Sequence, residues 1–156
     1  MGSNQPILFL DIDGPIVTGQ SVLMNPGNKW DAERFEHQNV KVLNSILDLT
    51  GAEIVISSDW RHHYTLNELQ DIFEHFGVNK KPIDVVCDFS KRFGALDLEG
   101  ARSSEILEWL KTNGSERKWV AVDDLALAVP NFVHIKRTIE GIKQTGIKDK
   151  ILKFLL

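Results

Sequence analysis

The chain has 156 residues and a formal net charge of −4, and 42% of its residues are hydrophobic. That length buries a sizeable core and favours a single domain over residues 1–156. The acidic balance excludes a general attraction to nucleic acid or anionic membrane, and the one cysteine, Cys87, excludes an internal disulfide and points to a reducing, cytoplasmic setting. Residues 1–5 are polar and read as a frayed end without the apolar stretch of a signal peptide, and no apolar run reaches the ~18 residues of a membrane span.

In chain order, Ile7–Asp11 reads as a buried strand, a short apolar run closed by Asp11-Ile12-Asp13-Gly14. Side chains alternate along a strand, so Asp11 and Asp13 point the same way. Two carboxylates that close repel, and burying them costs several kcal/mol without a cation or a shared proton. Gly14 lets the backbone turn sharply and approach a bound group. Residues 15–34 carry Pro15, Gly19, Pro26 and Gly27 and read as a long loop, of a length that is usually functional or disordered.

Val40, Leu43, Ile46 and Leu47 mark an amphipathic helix that ends near Gly51, and a second strand, Glu53–Ile56, runs into Ser57-Ser58-Asp59-Trp60-Arg61. Leu66, Leu69, Ile72, Phe73 and Phe76 form a helical stripe stopped by Gly77, and Ile83–Cys87 reads as a third strand with Cys87 a small core residue. Residues 88–101 are irregular. Arg102 stands just ahead of a helix over 104–112, where a cation and free helix N–H groups suit an anion. A fourth strand, Trp119–Val122, ends in Asp123-Asp124, a fifth covers Phe132–Ile135, and Ile147, Ile151, Leu152 and Leu155 mark a closing helix. From His134 to Lys153 six basic residues face two acidic ones, the pattern of a solvated helix face. The alternation of strands and helices predicts an α/β fold with a parallel sheet of about five strands.

Three strands thus finish in residues that bind metals or phosphates, and the carboxyl ends of a parallel sheet form its ligand crevice. Taken alone, Asp123-Asp124 serves equally as a helix cap. Trp60 either stacks on a base or packs under its loop, and with Trp30, Arg61 and His62 it marks a rim for substrate contacts. Trp30 and His37 flank the long loop. His62-His63 has no Cys near it to complete a zinc set and reads as a loop pair. Asp59 has no assigned role.

The motifs, in this order over most of the chain, resemble those of the haloacid dehalogenase (HAD) phosphohydrolases. Asp11-Ile12-Asp13-Gly14 matches the first motif, Ser57 the second, Arg102 the third and Asp123-Asp124 the fourth. Lys91 and Arg92 are rivals for the third. Ser57-Ser58-Asp59-Trp60-Arg61 is further similar to the HAD domains of Swiss-army-knife RNA repair proteins. The resemblance implies a Rossmann-like three-layer fold, with Asp11 as nucleophile forming an aspartyl-phosphate and Asp13 as general acid, then base. It implies that Ile12, Gly14, Ser57, Ser58 and Arg102 bind the phosphoryl group. It also implies Mg²⁺ held by Asp11, the main-chain carbonyl of Asp13, Asp123 and Asp124, an all-oxygen set that suits Mg²⁺ over zinc. The gaps from Gly14 to Ser57 and from Ser58 to Arg102 are filled by core elements, which leaves no room for a cap domain. An open site suits bulky phosphomonoesters such as polynucleotide ends or nucleotides. The alternatives are a non-catalytic phosphate- or partner-binding module and a phosphotransferase on the same scaffold.

Overall fold

The computed structural model describes residues 4–24, 34–89, 97–114 and 116–156. Five parallel strands form one sheet: β1 (Ile7–Leu10), β2 (Glu53–Ile56), β3 (Asp84–Val85), β4 (Trp119–Asp123) and β5 (Phe132–His134), in the spatial order β3-β2-β1-β4-β5. The helices are α1 (Gly19–Met24), α2 (His37–Thr50), α3 (Leu66–His75), α4 (Leu98–Asn113) and α5 (Ile147–Leu155), with short 3₁₀ turns at Asp59–His62 and Gly141–Lys143. No helix among the described residues is long and apolar enough to cross a membrane.

β1 has no polar alternation because both its faces are covered. Leu8 and Leu10 face one core with Ile54, Ile56, Val120 and Val122, closed by Leu43 and Leu47 of α2, Leu69 and Phe73 of α3, and Ile151 of α5. Ile7 and Phe9 face the other, with Val55 and Ala121, against Ile106, Trp109 and Leu110 of α4. This is the period-2 alternation of a strand laid between two helical layers. Each of the larger aliphatic and phenyl side chains, removed from water, contributes roughly 1.5–3 kcal/mol. Phe9 meets Trp109 and Trp119 edge-on at ring separations of 5.5 and 5.8 Å.

Local chemistry fixes the helix ends. Thr65 and Glu68 form a reciprocal capping box that starts α3. Gly51 closes α2 at φ +67°, a left-handed conformation that glycine adopts without steric cost. The Trp109 indole donates to Asp84 Oδ2 at 2.7 Å and ties α4 to the short edge strand β3.

The structure departs from the sequence reading in several places. Residues 14–24 are not loop: Gly14 donates to Val17 O in a tight turn, Ile16 and Val17 are buried, and α1 follows. Their two apolar side chains give that turn core contacts that Pro15 and Gly19 obscure. Gln5 is not frayed, since its carbonyl accepts from Arg117 Nε at 2.7 Å. β3 spans two residues only, so Cys87 falls beyond the strand and is exposed, not core. α4 starts at Leu98, where Asp97 caps it by accepting from Gly100 N. Arg102 therefore lies inside the helix rather than ahead of it.

Candidate active site

Strand register assembles the site. Leu10 pairs with Ile56 on one side and Val122 on the other, so the next residue out, Asp11, stands beside Ser57 and Asp123. Asp11 N donates to Val122 O and Ser57 N to Leu10 O, both at 3.0 Å, which carries the sheet's order one residue past its edge. Asp11, Asp123 and Asp124 each bring a carboxylate oxygen within 4.8 Å of the others'. They form the only such metal-competent group among the described residues; His62 and His63 belong to none.

Arg102 compensates this cluster. It is buried, and its Nη1 lies 3.2 Å from Asp123 Oδ2 and 3.7 Å from Asp11 Oδ2. Nη2 donates to Asp59 Oδ1 at 3.0 Å. Asp59, for which the sequence offered no role, thus anchors the far side of the guanidinium. Arg102 reaches the site from within α4, so the expectation that a helix N-terminus assists it does not hold. Lys91 and Arg92 lie outside the described residues, as does Trp30.

Crowding shifts the acids. Burial, then the charge of Asp123, push the Asp11 carboxyl well above its ordinary 3.8, against the pull of Arg102. Burial likewise raises Asp123 to about 6, although Arg102 and the Leu125 N–H favour its ionised form. Burial works to lower Arg102, but the charges of Asp11, Asp123 and Asp59 outweigh it, so it stays charged.

A carboxyl raised by folding stabilises the fold at acid pH, and that contribution disappears as pH climbs through the folded value. The metal-free protein should therefore melt at a higher temperature at pH 5 than at pH 7.5. Millimolar Mg²⁺ should reverse the order, because it replaces the lost protons. Thermal melts at the two pH values, with EDTA and with Mg²⁺, check this; a pH-independent EDTA melt would contradict it.

The Asp13 carboxylate stands apart from the three-acid cluster and accepts from the Trp60 indole, Nε1 to Oδ1 at 3.1 Å. Ile12 buries its side chain in the core and donates its N–H to Asp11 Oδ1 at 2.9 Å. Gly14 has φ +104°, and a Cβ there would lie 2.8 Å from Asp124 Cβ. Only glycine brings these two segments so close. Ser57 Oγ is buried with no hydrogen-bond partner among the described residues. An unmade bond of that kind costs ~1–3 kcal/mol. Ser58 Oγ instead accepts from Trp60 N and caps the 3₁₀ turn.

Beyond Asp11, Asp13, Asp124 and Arg102 opens a cavity of about 440 Å³. Its outer walls include Val17, Thr18, Arg34, Leu125 and Thr138. Arg34 is a buried cation that the sequence reading passed over, because no motif surrounds it. Thr138 sits between the exposed Lys136 and Arg137 and Ile139. The rim expected at Trp60, Arg61 and His62 is not where this cavity opens. Trp60 is fully buried against Phe35 and Tyr64, which overturns base stacking. The Arg61 side chain, 7% exposed, is held in a two-pronged bond to Glu105, at 2.9 Å for each prong. His62 lines a smaller neighbouring hollow, and His37 is exposed at the start of α2, away from this cavity. His134, another residue without a motif, donates from Nε2 to the Asp124 carbonyl at 2.8 Å and steadies that loop.

Against this geometry, the family model described as the HAD domain in Swiss Army Knife RNA repair proteins matches residues 7–151, which contain every strand of the sheet and the residues expected to form its motifs. The chain belongs to this HAD family. Membership places it among phosphohydrolase-type domains. No curated protein and no solved structure gives a significant match.

Proposed function

We propose that this HAD domain is a Mg²⁺-dependent phosphomonoester hydrolase with an open site, acting in the cytoplasm on nucleotides or phosphorylated polynucleotide ends. The observation that carries the reading is the meeting of Asp11, Arg102 and the unpartnered Ser57 hydroxyl at the carboxyl edge of the sheet. It puts a nucleophile, a fixed cation and a spare donor around one point.

In the first step an Asp11 oxygen bonds to phosphorus while the bond from phosphorus to the leaving oxygen breaks, and Asp13 gives that oxygen its proton. In the second, water attacks phosphorus, its proton passes to Asp13, and the Asp11 carboxylate is released. Ser57 and Arg102 bind the phosphoryl oxygens throughout. Asp11, Asp123, Asp124 and the Asp13 carbonyl would hold Mg²⁺. The donor set fits the ion: three crowded carboxylates share one neighbouring cation, and two of them are held back from ionising. When bound, Mg²⁺ neutralises developing phosphoryl charge.

The walls support this substrate class. Between β1 and β2 the described residues supply α1 and α2, and between β2 and β3 they supply a 3₁₀ turn and α3, all part of one layered domain. Arg34 in the cavity and Lys136 and Arg137 beside Thr138 add positive charge away from Arg102, which suits a substrate with further phosphates. The printed description of the matching family, RNA repair, supports the same class.

Hydrolysis of an aryl phosphate should require Mg²⁺ and stop with EDTA. A short phosphorylated oligonucleotide should have a kcat/KM at least equal to that of a hexose phosphate, since remote contacts add binding energy that a small substrate lacks. Arg34→Gln should erase that preference. If the hexose phosphate is strongly preferred and the oligonucleotide is inert, the substrate class is wrong.

A further inference from the structure

From the bond between Trp60 and Asp13 we infer that Trp60 is a positioning residue: its indole N–H holds the Asp13 carboxyl so that the other oxygen meets the leaving group. The inference rests on the reading of Asp13 as general acid and assigns a residue that this reading does not contain.

Three observations converge on it. The indole is fully buried, so its ring has no freedom to swing away. It is fixed on three sides: Phe35 lies edge-on at 5.5 Å, Tyr64 stacks at 5.6 Å, and the Trp60 main chain is pinned by the Ser58 cap. Its one polar atom bonds to Asp13 Oδ1 at 3.1 Å, across 47 positions of sequence. A buried indole N–H needs an acceptor, and a main-chain carbonyl would serve packing equally well. Here the acceptor is a carboxylate that lines the cavity. With Oδ1 held, the proton that goes to the leaving oxygen travels from Oδ2. Asp13 follows the sheet edge on a tight turn, bridged to Val17. A rigid donor on one oxygen restrains the torsions of such a carboxylate before substrate arrives.

The test compares leaving groups. kcat/KM reports steps up to release of the alcohol, so it isolates proton donation from the later attack of water. A nucleoside monophosphate expels a poor leaving group that needs the proton, whereas 4-nitrophenyl phosphate scarcely needs it. Trp60→Phe keeps the ring packing and removes the donor. It should lower kcat/KM about tenfold for the nucleotide, the worth of one well-placed hydrogen bond, and less than twofold for 4-nitrophenyl phosphate. Equal losses on both substrates, or none, would overturn the proposal and leave Trp60 a packing residue. Should Trp60→Phe fold poorly, placing benzothienylalanine at position 60 keeps the bicyclic shape without the N–H and should give the same split. Asp13→Asn separates the two levels of argument. If Asp13→Asn shows the leaving-group split and the Trp60 variants do not, the acid stands and the positioning role falls. If Asp13→Asn shows no split, the acid assignment itself is wrong, and the inference goes with it.

Discussion

Asp11→Asn should abolish turnover, by at least ~10⁴-fold, while the protein remains folded. The carboxylate stands at the edge of β1 between Ser57 and Asp123, where register and not loop geometry sets its position. Asparagine keeps the shape and can still accept the Ile12 N–H, so the structural cost is small. The second expected effect runs the other way. The Asp11 carboxyl is forced toward its protonated form by burial and by Asp123, so at pH 7.5 without metal it strains the fold. A neutral side chain removes the repulsion, and the EDTA-treated variant should melt about 2–4 °C above wild type, the shift that ~1 kcal/mol gives in a chain of this size. Added Mg²⁺ should stabilise the variant less than wild type. Steady-state kinetics and paired melts measure both. A folded variant with wild-type turnover would remove Asp11 from the chemistry.

Arg102→Ala should be the most damaging single substitution for stability and activity together. The guanidinium sits against Asp123, Asp11 and Asp59. Its loss leaves two buried carboxylates beside each other without a cation, a defect of the kind that costs ~3–5 kcal/mol. The deficit should shrink at pH 5, where the acids take up protons, and in saturating Mg²⁺. Phosphate binding should weaken by at least the ~1.5–3 kcal/mol of a charge-assisted bond. Arg102→Lys should recover part of the stability and less of the binding, since an ammonium cannot reach Asp59 and Asp123 with separate nitrogens. Lys91→Ala and Arg92→Ala are the controls, measured by chemical denaturation and by inhibition with inorganic phosphate. Should either control be the inactive protein, Arg102 does not serve the third motif.

β1, β2 and β4 were legible because each is a short apolar run that ends in a polar switch, and the same switches named Asp11, Ser57 and Asp123. Sheet order turns that one-dimensional pattern into proximity, since three strand ends in register become one point in space. What the sequence hid falls into two kinds. Some residues act by packing in an unexpected direction: Trp60 follows a polar run that suggests a surface, yet its ring turns inward. Others depend on an element's length. Placing the helix start near 104 made Arg102 a terminal residue, and only the Asp97 cap and the extra turn from Leu98 set it on the inner face of α4. Arg34 carries no motif, and Asp59 lies within one that gives it no role. Their charges matter through partners and walls contributed by segments far away in the chain.

The two-pronged bond between Arg61 and Glu105 has a consequence for how this sequence can change. Their side chains are 7% and 1% exposed, and Glu105 also accepts the Phe89 N–H at 2.8 Å. Replacing Arg61 alone strands the Glu105 carboxylate away from water, and replacing Glu105 alone leaves Arg61 only the longer, 3.6 Å pair to Asp88, whereas replacing both with apolar groups of like volume is close to neutral. Mutations therefore reach a new stable state only through an intermediate that is several kcal/mol worse, unless both positions alter at once. Positions 61 and 105 are free to vary only as a pair. That coupling joins the turn that carries Asp59 and Trp60 to the helix that carries Arg102, and drift at one end of the site is checked by the other.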